Sequence, residues 1–217
     1  MGIEFLDPNN AADVDSVSAL YEEHLATSPV VKLGPRFLRE FFYSQLVKDD
    51  LLGCLICRVD GKVVAFLSWT TRPSDFVSVG IKRHVVKLSW IMLRTVITRP
   101  AIVHELIASS RMASRRAGDT GMPADSPAVI EALSIVVPPA FQRHVPEGGK
   151  GRLTTRLVRT LADHVRAKGV AKVIYVVQPT NTSSAIFFSG MGCEMAKRTY
   201  AGNVVYVFTH DLLVPPE

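Results

Sequence analysis

VIEALSIVVPPAFQRHVPEGGKGRLTTRLVRTLADHVRAKGVAKVIYVVQ, residues 129–178, sets two apolar runs of strand length on either side of a helical pattern. VIEALSIVV reads as a buried strand and KVIYVVQ as another, because both are rich in β-branched residues and too short for helices. Between them Leu153, Leu157 and Leu161 recur at helical spacing, and the pattern runs to Lys168, where Gly169 stops it. A strand, a helix and a strand in that order imply a parallel or nearly parallel crossover.

The turn into that helix, EGGKGRLTTRLV at residues 147–158, carries glycines where a phosphate-binding loop would need them. Gly148, Gly149 and Gly151 have no Cβ, so their N–H groups can converge on an anion, and the helix N-terminus favours negative charge. A plain flexible loop before an ordinary helix explains the glycines on their own at least as well. It is not a nucleotide-hydrolase loop, because Lys150 is followed by Gly151 rather than Ser or Thr.

Outward from this unit the pattern becomes antiparallel. LLGCLICRV, the turn Asp60-Gly61 and KVVAFLSWT form a hairpin, and MAKRTY and NVVYVFTHDL, separated by Ala201-Gly202, form a second pair. Near the start, IEFLD suits a short strand, and Val14, Val17, Leu20, Tyr21 and Leu25 mark a helix over 13–26. Gly34 and Pro35 announce a second helix with Phe37, Leu38, Phe41, Phe42 and Leu46 as its stripe. A short helix is expected over 183–191, ahead of Gly192. The expected class is α/β with a mixed, mostly antiparallel sheet and flanking helices, in one domain over 1–217.

The chain has 217 residues, 47% hydrophobic and 21% charged, which is a globular composition with room for one well-packed core. No apolar run has the length of a spanning helix and no signal-peptide pattern opens the chain, so the expected compartment is the cytoplasm. Cys54, Cys57 and Cys193 read as structural thiols, with no second cysteine pair to complete a metal site. No metal is expected.

More specific residues follow in order: Val137-Pro138-Pro139 after a strand, Phe141-Gln142, Gly149-Lys150-Gly151 before a helix, then KVIYVVQPTN and NTSSAIFFSGMGCE. Over residues 129–193 this succession resembles the GCN5-related N-acetyltransferase superfamily. The resemblance implies an acyl-CoA N-acyltransferase fold, with a V-shaped splay between two parallel core strands. It also implies acetyl-CoA, or another acyl-CoA, as cosubstrate and a primary amine as acceptor. More loosely, KLGPRFLREFFYSQL followed by a hairpin and a basic insertion looks like a branch tied to bacterial surface-polysaccharide and amino-sugar biosynthesis. An amino sugar is then the expected acceptor.

Carried onto this sequence, the resemblance implies that Ile135, Val136 and Val137 present backbone to the pantetheine arm. The amides of Gly148, Gly149, Lys150, Gly151 and Arg152 would take the pyrophosphate. Gln142, Asn181, Phe187 and Phe188 complete the implied cofactor contacts, with Asn181 equally readable as a helix N-cap. The Val137 N–H would stabilise the oxyanion. Glu131 stands six residues before Val137, on the same face of an ideal strand, and is the candidate base for the attacking amine. The sequence departs from the pattern in two places. RHVPEG lengthens the loop before Gly149, and Phe188 stands where the family often has a tyrosine that protonates the leaving thiolate. Ser189, Tyr200 and Tyr206 are the candidate substitutes. Direct attack needs no covalent enzyme intermediate. A non-catalytic acyl-CoA-binding or protein-interaction module is the alternative, and a homodimer is compatible with either.

The charge is uneven. Over 76–117, Lys82, Arg83, Lys87, Arg94, Arg99, Arg111, Arg115 and Arg116 stand against Glu105 alone. Two helices are expected there, 81–97 and 102–112, broken at Arg99-Pro100. The open readings are a lid over the acceptor site, a face lying on anionic lipid at the inner membrane surface, a dock for an acidic partner, or an ordinary packed pair with a basic face. No nucleic-acid-binding module is recognisable. His84 and His104 have no metal-ligand spacing.

Overall fold

The computed structural model describes residues 1–73, 75–98, 129–142, 151–200 and 203–213. Among these, β1 (Gly2–Phe5), β2 (Gly53–Val59), β3 (Lys62–Thr70), β4 (Val129–Val136), β5 (Lys172–Val177), β6 (Glu194–Tyr200) and β7 (Asn203–Asp211) form one sheet in the order β1-β2-β3-β4-β5-β7-β6. Every neighbouring pair is antiparallel except β4–β5, which is parallel. The expected mixed α/β sheet is therefore present. The β2–β3 turn has φ of 50° at Asp60 and 77° at Gly61, the paired positive values that a two-residue turn matching strand twist requires.

Two cores flank the sheet. On one side α1 (Ala11–His24), α2 (Pro29–Lys32), a π-helical turn (Phe37–Phe42), α3 (Gln45–Lys48), α4 (Phe76–Arg83) and α5 (Val85–Thr98) cover Cys54, Ile56, Phe66 and Val136. On the other, α7 (Leu153–Ala167) and α8 (Thr182–Gly190) cover Leu55, Cys57, Leu67, Ile130 and Tyr175, while the short α6 (Pro139–Gln142) links β4 toward α7. Leu153, Leu157, Val158, Leu161, Ala162 and Val165 of α7 are all buried. Full burial of a Leu or Val contributes about 1.5–3 kcal/mol, so this stripe holds the helix to the sheet more than its propensity does. Helix α1 starts where Asn10 Oδ1 accepts from the N–H groups of Ala12 (3.2 Å) and Asp13 (3.4 Å), two residues before the expected start.

Two expectations are corrected. The stretch around Phe37–Leu46 is not a regular helix: the Tyr43 N–H donates to the Leu38 carbonyl at 2.8 Å, five residues back. Phe41, Phe42 and Tyr43 are all buried. The wider turn rotates consecutive residues by less than the roughly 100° of an α-helix, which helps bring three in a row toward one core. The basic segment does not start with one helix over 81–97. It breaks at His84, which has φ −123° and donates its N–H to Gly80 and Ile81 carbonyls (3.1 and 3.3 Å). The expected helix over 102–112 lies outside the described residues. The expected burial of β4 holds on both faces, with Ile130 and Ala132 buried in the α7-side core and Val136 in the α1-side core.

Trp69 lies directly over Gly53, where a Cβ would sit 2.2 Å from the indole, and beside Phe5 and His164. The His164 ring packs on Phe5 at 4.5 Å between centroids, and burial, then the nearby Lys168 charge, hold its pKa below the ordinary imidazole value. His210 is lowered by burial and Arg166. Both folded-state values lie below the unfolded ones, so the folded chain binds fewer protons. Their stabilising contribution is complete above the ordinary histidine pKa and is lost as pH falls from there through the folded values. The urea midpoint is expected to fall between pH 7.5 and 5.5, and His164→Gln to shrink that fall. An unchanged difference between the two pH values in His164→Gln would contradict it.

Candidate functional site

The parallel pair that the crossover creates is short. β4 and β5 are in register only from Val129↔Lys172 to Ala132↔Tyr175. Beyond that point Ser134, Ile135 and Val136 pair only with β3, and Val176 and Val177 only with β7. The two strands separate, leaving the β5-facing backbone of the end of β4 without a strand partner among the described residues.

A bulge sits where they part. Ser134 is opposite Ser68 while Ala132 is opposite Trp69, so Leu133 is an extra residue in β4. The bulge reverses the alternation. Ile130 and Ala132 before it, and Ile135 and Val137 after it, face the α7 side, whereas Leu133 and Val136 face the α1 side. Glu131 therefore lies on the α1 face, opposite Thr70, whose hydroxyl donates to the Leu51 carbonyl at 2.8 Å. This corrects the expectation that Glu131 and Val137 share a face: one residue of bulge puts them on opposite faces of the sheet. The Ser68 and Ser134 hydroxyls hydrogen-bond across the first pair after the bulge and fix its register, and burial pushes the neighbouring Tyr43 hydroxyl above its ordinary pKa.

Val137 follows β4 rather than ending it. The Gln142 side-chain amide donates to the Val137 carbonyl at 3.2 Å, so Gln142 braces the strand end through its side chain. Gly148, Gly149 and Lys150 lie outside the described residues. Gly151 has φ +98°, in the left-handed region, while a Cβ there would meet only Thr155 at 3.8 Å; backbone angle, not space, selects glycine. Arg152 is the N-cap of α7, makes no side-chain capping bond, and no acid occupies the first turn. One turn on, Arg156 Nη1 is buried with no hydrogen-bond partner among the described residues. Among the described residues the start of α7 thus combines amides without a side-chain cap, the positive end of the helix dipole and arginines, an arrangement matched to an anion.

Across the splay, Asn181 is the N-cap of α8, its Oδ1 accepting from Ser184 N–H at 3.1 Å. Phe187 is half-buried, and Phe188 is buried, stacked on Tyr175 (4.2 Å, 25°) and 5.6 Å from Phe208. Ser189 is exposed near the end of α8. Tyr206 is half-buried in β7 opposite Val177, whereas Tyr200 ends β6, with β7 between it and β5. The fold thus gathers Glu131, Ile135, Val136 and Val137 along one splayed strand with α7 and α8 beside it; it sets Tyr200 apart.

Two features escape a reading of residue types. The bulge at Leu133 is one. The other is Tyr175, whose buried hydroxyl has no hydrogen-bond partner among the described residues and whose pKa is raised by burial and then by Cys193. A tyrosine inside the apolar run KVIYVV was the available signal, since a buried hydroxyl calls for a partner. Cys54, Cys57 and Cys193 are buried and free, and burial pushes Cys193 up to about 11, so it stays a thiol at neutral pH. Among the described residues no group of three or more His, Cys, Asp or Glu could hold a metal ion, and no helix is long and apolar enough to cross a membrane.

No protein-family model matches the sequence, and none of the curated proteins matches it. Solved structures do. An aminoglycoside acetyltransferase, AAC(6')-Ib, in complex with coenzyme A and kanamycin superposes with a TM-score of 0.57 at 13% identity, covering 96% of this chain and 93% of that one. The N-acetyltransferase from Staphylococcus aureus Mu50 gives 0.56 at 14%, covering 97% and 98%. The protein yncA from Salmonella typhimurium, solved with its cofactor acetyl-CoA, gives 0.55 at 16%, covering 98% and 94%. At these identities the likeness is one of fold. The chain has the acyl-CoA N-acyltransferase fold, with the mostly antiparallel sheet and splayed parallel pair expected of it.

Proposed function

We propose that the chain is an N-acetyltransferase of the GCN5-related superfamily, moving an acetyl group from acetyl-CoA to a primary amine. The observation that carries this reading is the parting of β4 and β5 after Ala132 and Tyr175, beside the uncapped start of α7. A splay of this kind offers unpaired strand backbone to the amide-rich pantetheine arm. The start of α7 offers amides and Arg152 to the pyrophosphate, with Gly148, Gly149 and Lys150 completing the cradle. The residues fit an acyl-CoA without a metal. The shared fold with enzymes solved with coenzyme A, acetyl-CoA and kanamycin supports a small-molecule acceptor. An amino sugar, of the kind used in surface-polysaccharide synthesis, is our acceptor class.

In this reading the reaction is direct attack. Acyl-CoA enters from the α7 side, with its thioester carbonyl accepting from the β4 backbone at Ile135 to Val137, and the amine approaches from the α1 side, where Glu131 takes its proton. The bulge, which turns the Glu131 side chain to the α1 face and the Ile135 and Val137 side chains to the α7 face, supports this division of the two approaches. Phe188 can donate no proton to the leaving thiolate, so water, Ser189 or Tyr206 supplies it; the position of Tyr200 on β6 makes it the weaker candidate. The hydroxyl-free Phe188 also favours a second reading, a non-catalytic acyl-CoA-binding module. Coenzyme A release measured with a panel of primary amines, amino sugars included, separates the two. Amine-dependent thiol release is expected; binding of coenzyme A with no turnover on any amine would favour the binding module.

A further inference from the structure

Helix α5 is apolar on two sides. One side packs into the core: Ile91 is buried, Leu88 and Met92 are partly so, and Phe76 of α4 joins them. The other side has no such cover among the described residues, with Val86 81%, Trp90 54% and Leu93 51% exposed, at the i, i+4, i+7 spacing of a single stripe. Val85 and Ile81 are exposed beside it. Between residues 76 and 98 the chain has Lys82, Arg83, Lys87 and Arg94 and no acidic residue. Arg94 sits over the Trp90 ring at 4.6 Å.

Side-chain contacts tie the stripe to the rest of the fold. Asp49 and His84 hydrogen-bond at the junction of α4 and α5, and Lys87 Nζ donates to Gln45 Oε1 at 2.9 Å. Burial of the Asp49 carboxyl works to raise its pKa, but the hydrogen bonds from His84 and Gln45 outweigh it and hold it below the ordinary value. Gly80 is in such close contact with Leu46 that a Cβ would lie 2.5 Å from it.

We propose that the exposed face of α4 and α5 is a docking surface for an anionic lipid bilayer, with Val86, Trp90 and Leu93 entering the headgroup boundary and Lys82, Arg83, Lys87 and Arg94 meeting lipid phosphates. An indole at the edge of an apolar stripe flanked by cations has the chemistry of that boundary, apolar below and charged above. A second copy of the chain fits less well. A two-fold contact would bring this patch against itself, cation against cation, with no acid in either. A nucleic acid would use the cations but leave the aliphatic stripe in water. The inference does not depend on the acetyl-transfer reading, because none of these residues belongs to β4, β5, α7 or α8.

Vesicles of phosphatidylcholine alone and of phosphatidylcholine with phosphatidylglycerol, sedimented with the full chain, provide the test. Of the two tryptophans, Trp69 is buried, so a blue shift in emission reports Trp90. Binding to the anionic vesicles only, weakening with salt and accompanied by that shift, is expected. Val86→Asp should reduce it about tenfold or more, and Lys82→Glu by a smaller factor, with thermal midpoint and coenzyme A affinity unchanged. No anionic-vesicle binding at low salt, or binding that Val86→Asp leaves intact, overturns the proposal. So does a wild-type dimer that Val86→Asp dissolves, or binding to RNA in place of vesicles.

Discussion

Gly151→Asp is expected to weaken coenzyme A binding by about a hundredfold, through two effects that add. At φ +98° any side chain is strained, and such strain is on the order of 1–3 kcal/mol. The new carboxylate also stands directly before Arg152 and the first amides of α7, where the pyrophosphate is placed, and like charges there oppose each other. Gly151→Ala separates the two effects, since it brings the strain without the charge and should give the smaller loss. Stability should change less than affinity for the aspartate variant, because an acid ahead of a helix start stabilises the helix and offsets part of the strain. Titration calorimetry with coenzyme A reads the affinity and thermal unfolding reads the stability. If Gly151→Asp bound coenzyme A as tightly as the parent chain, the pyrophosphate would lie elsewhere.

Glu131→Gln should lower kcat by about a hundredfold or more, the range a positioned general base supplies, while leaving KM for acetyl-CoA near its parent value. The reason is geometric. Glu131 lies on the α1 face of β4, and the backbone assigned to the thioester lies beyond the bulge, so the carboxylate can reach the amine without touching the cosubstrate. A base must be deprotonated to act, so the parent rate should fall on the acid side of its pH profile, and the variant should lose that limb. A variant with parent kcat, or with a raised KM for acetyl-CoA and unchanged kcat, would remove Glu131 from the role of base.

Most of the architecture was legible in the sequence because it is written in periodicity and turn chemistry. Asp60-Gly61 closes β2 to β3, the leucines of α7 repeat on one face, and strand–helix–strand order makes β4 and β5 parallel. What stayed hidden is backbone geometry that residue types do not encode. VIEALSIVV reads as an unbroken buried strand, with no glycine or proline at Leu133, so nothing in it announces an extra residue. Yet that residue turns Glu131 away from the side that Val137 faces. The π-turn at Phe37–Phe42 was hidden for a related reason, since its apolar spacing satisfies an α-helix until Tyr43 is also required in the core. At the site, the asparagine was readable in both of its roles, and the structure shows it as the cap of α8. The role of Phe188 was readable only as a missing hydroxyl. Its stacking on Tyr175 shows a residue of the core beside the splay.

The central claim is that the parting of β4 and β5 is the seat of an acyl-CoA. A crystal structure of the chain with coenzyme A tests it most directly. The pantetheine arm should run between the strands along Leu133 to Val137, its amides bonded to β4 backbone, with the pyrophosphate on the amides that begin α7. Coenzyme A bound away from the splay, or an intact splay bridged by protein with the ligand absent at saturating concentration, would contradict it.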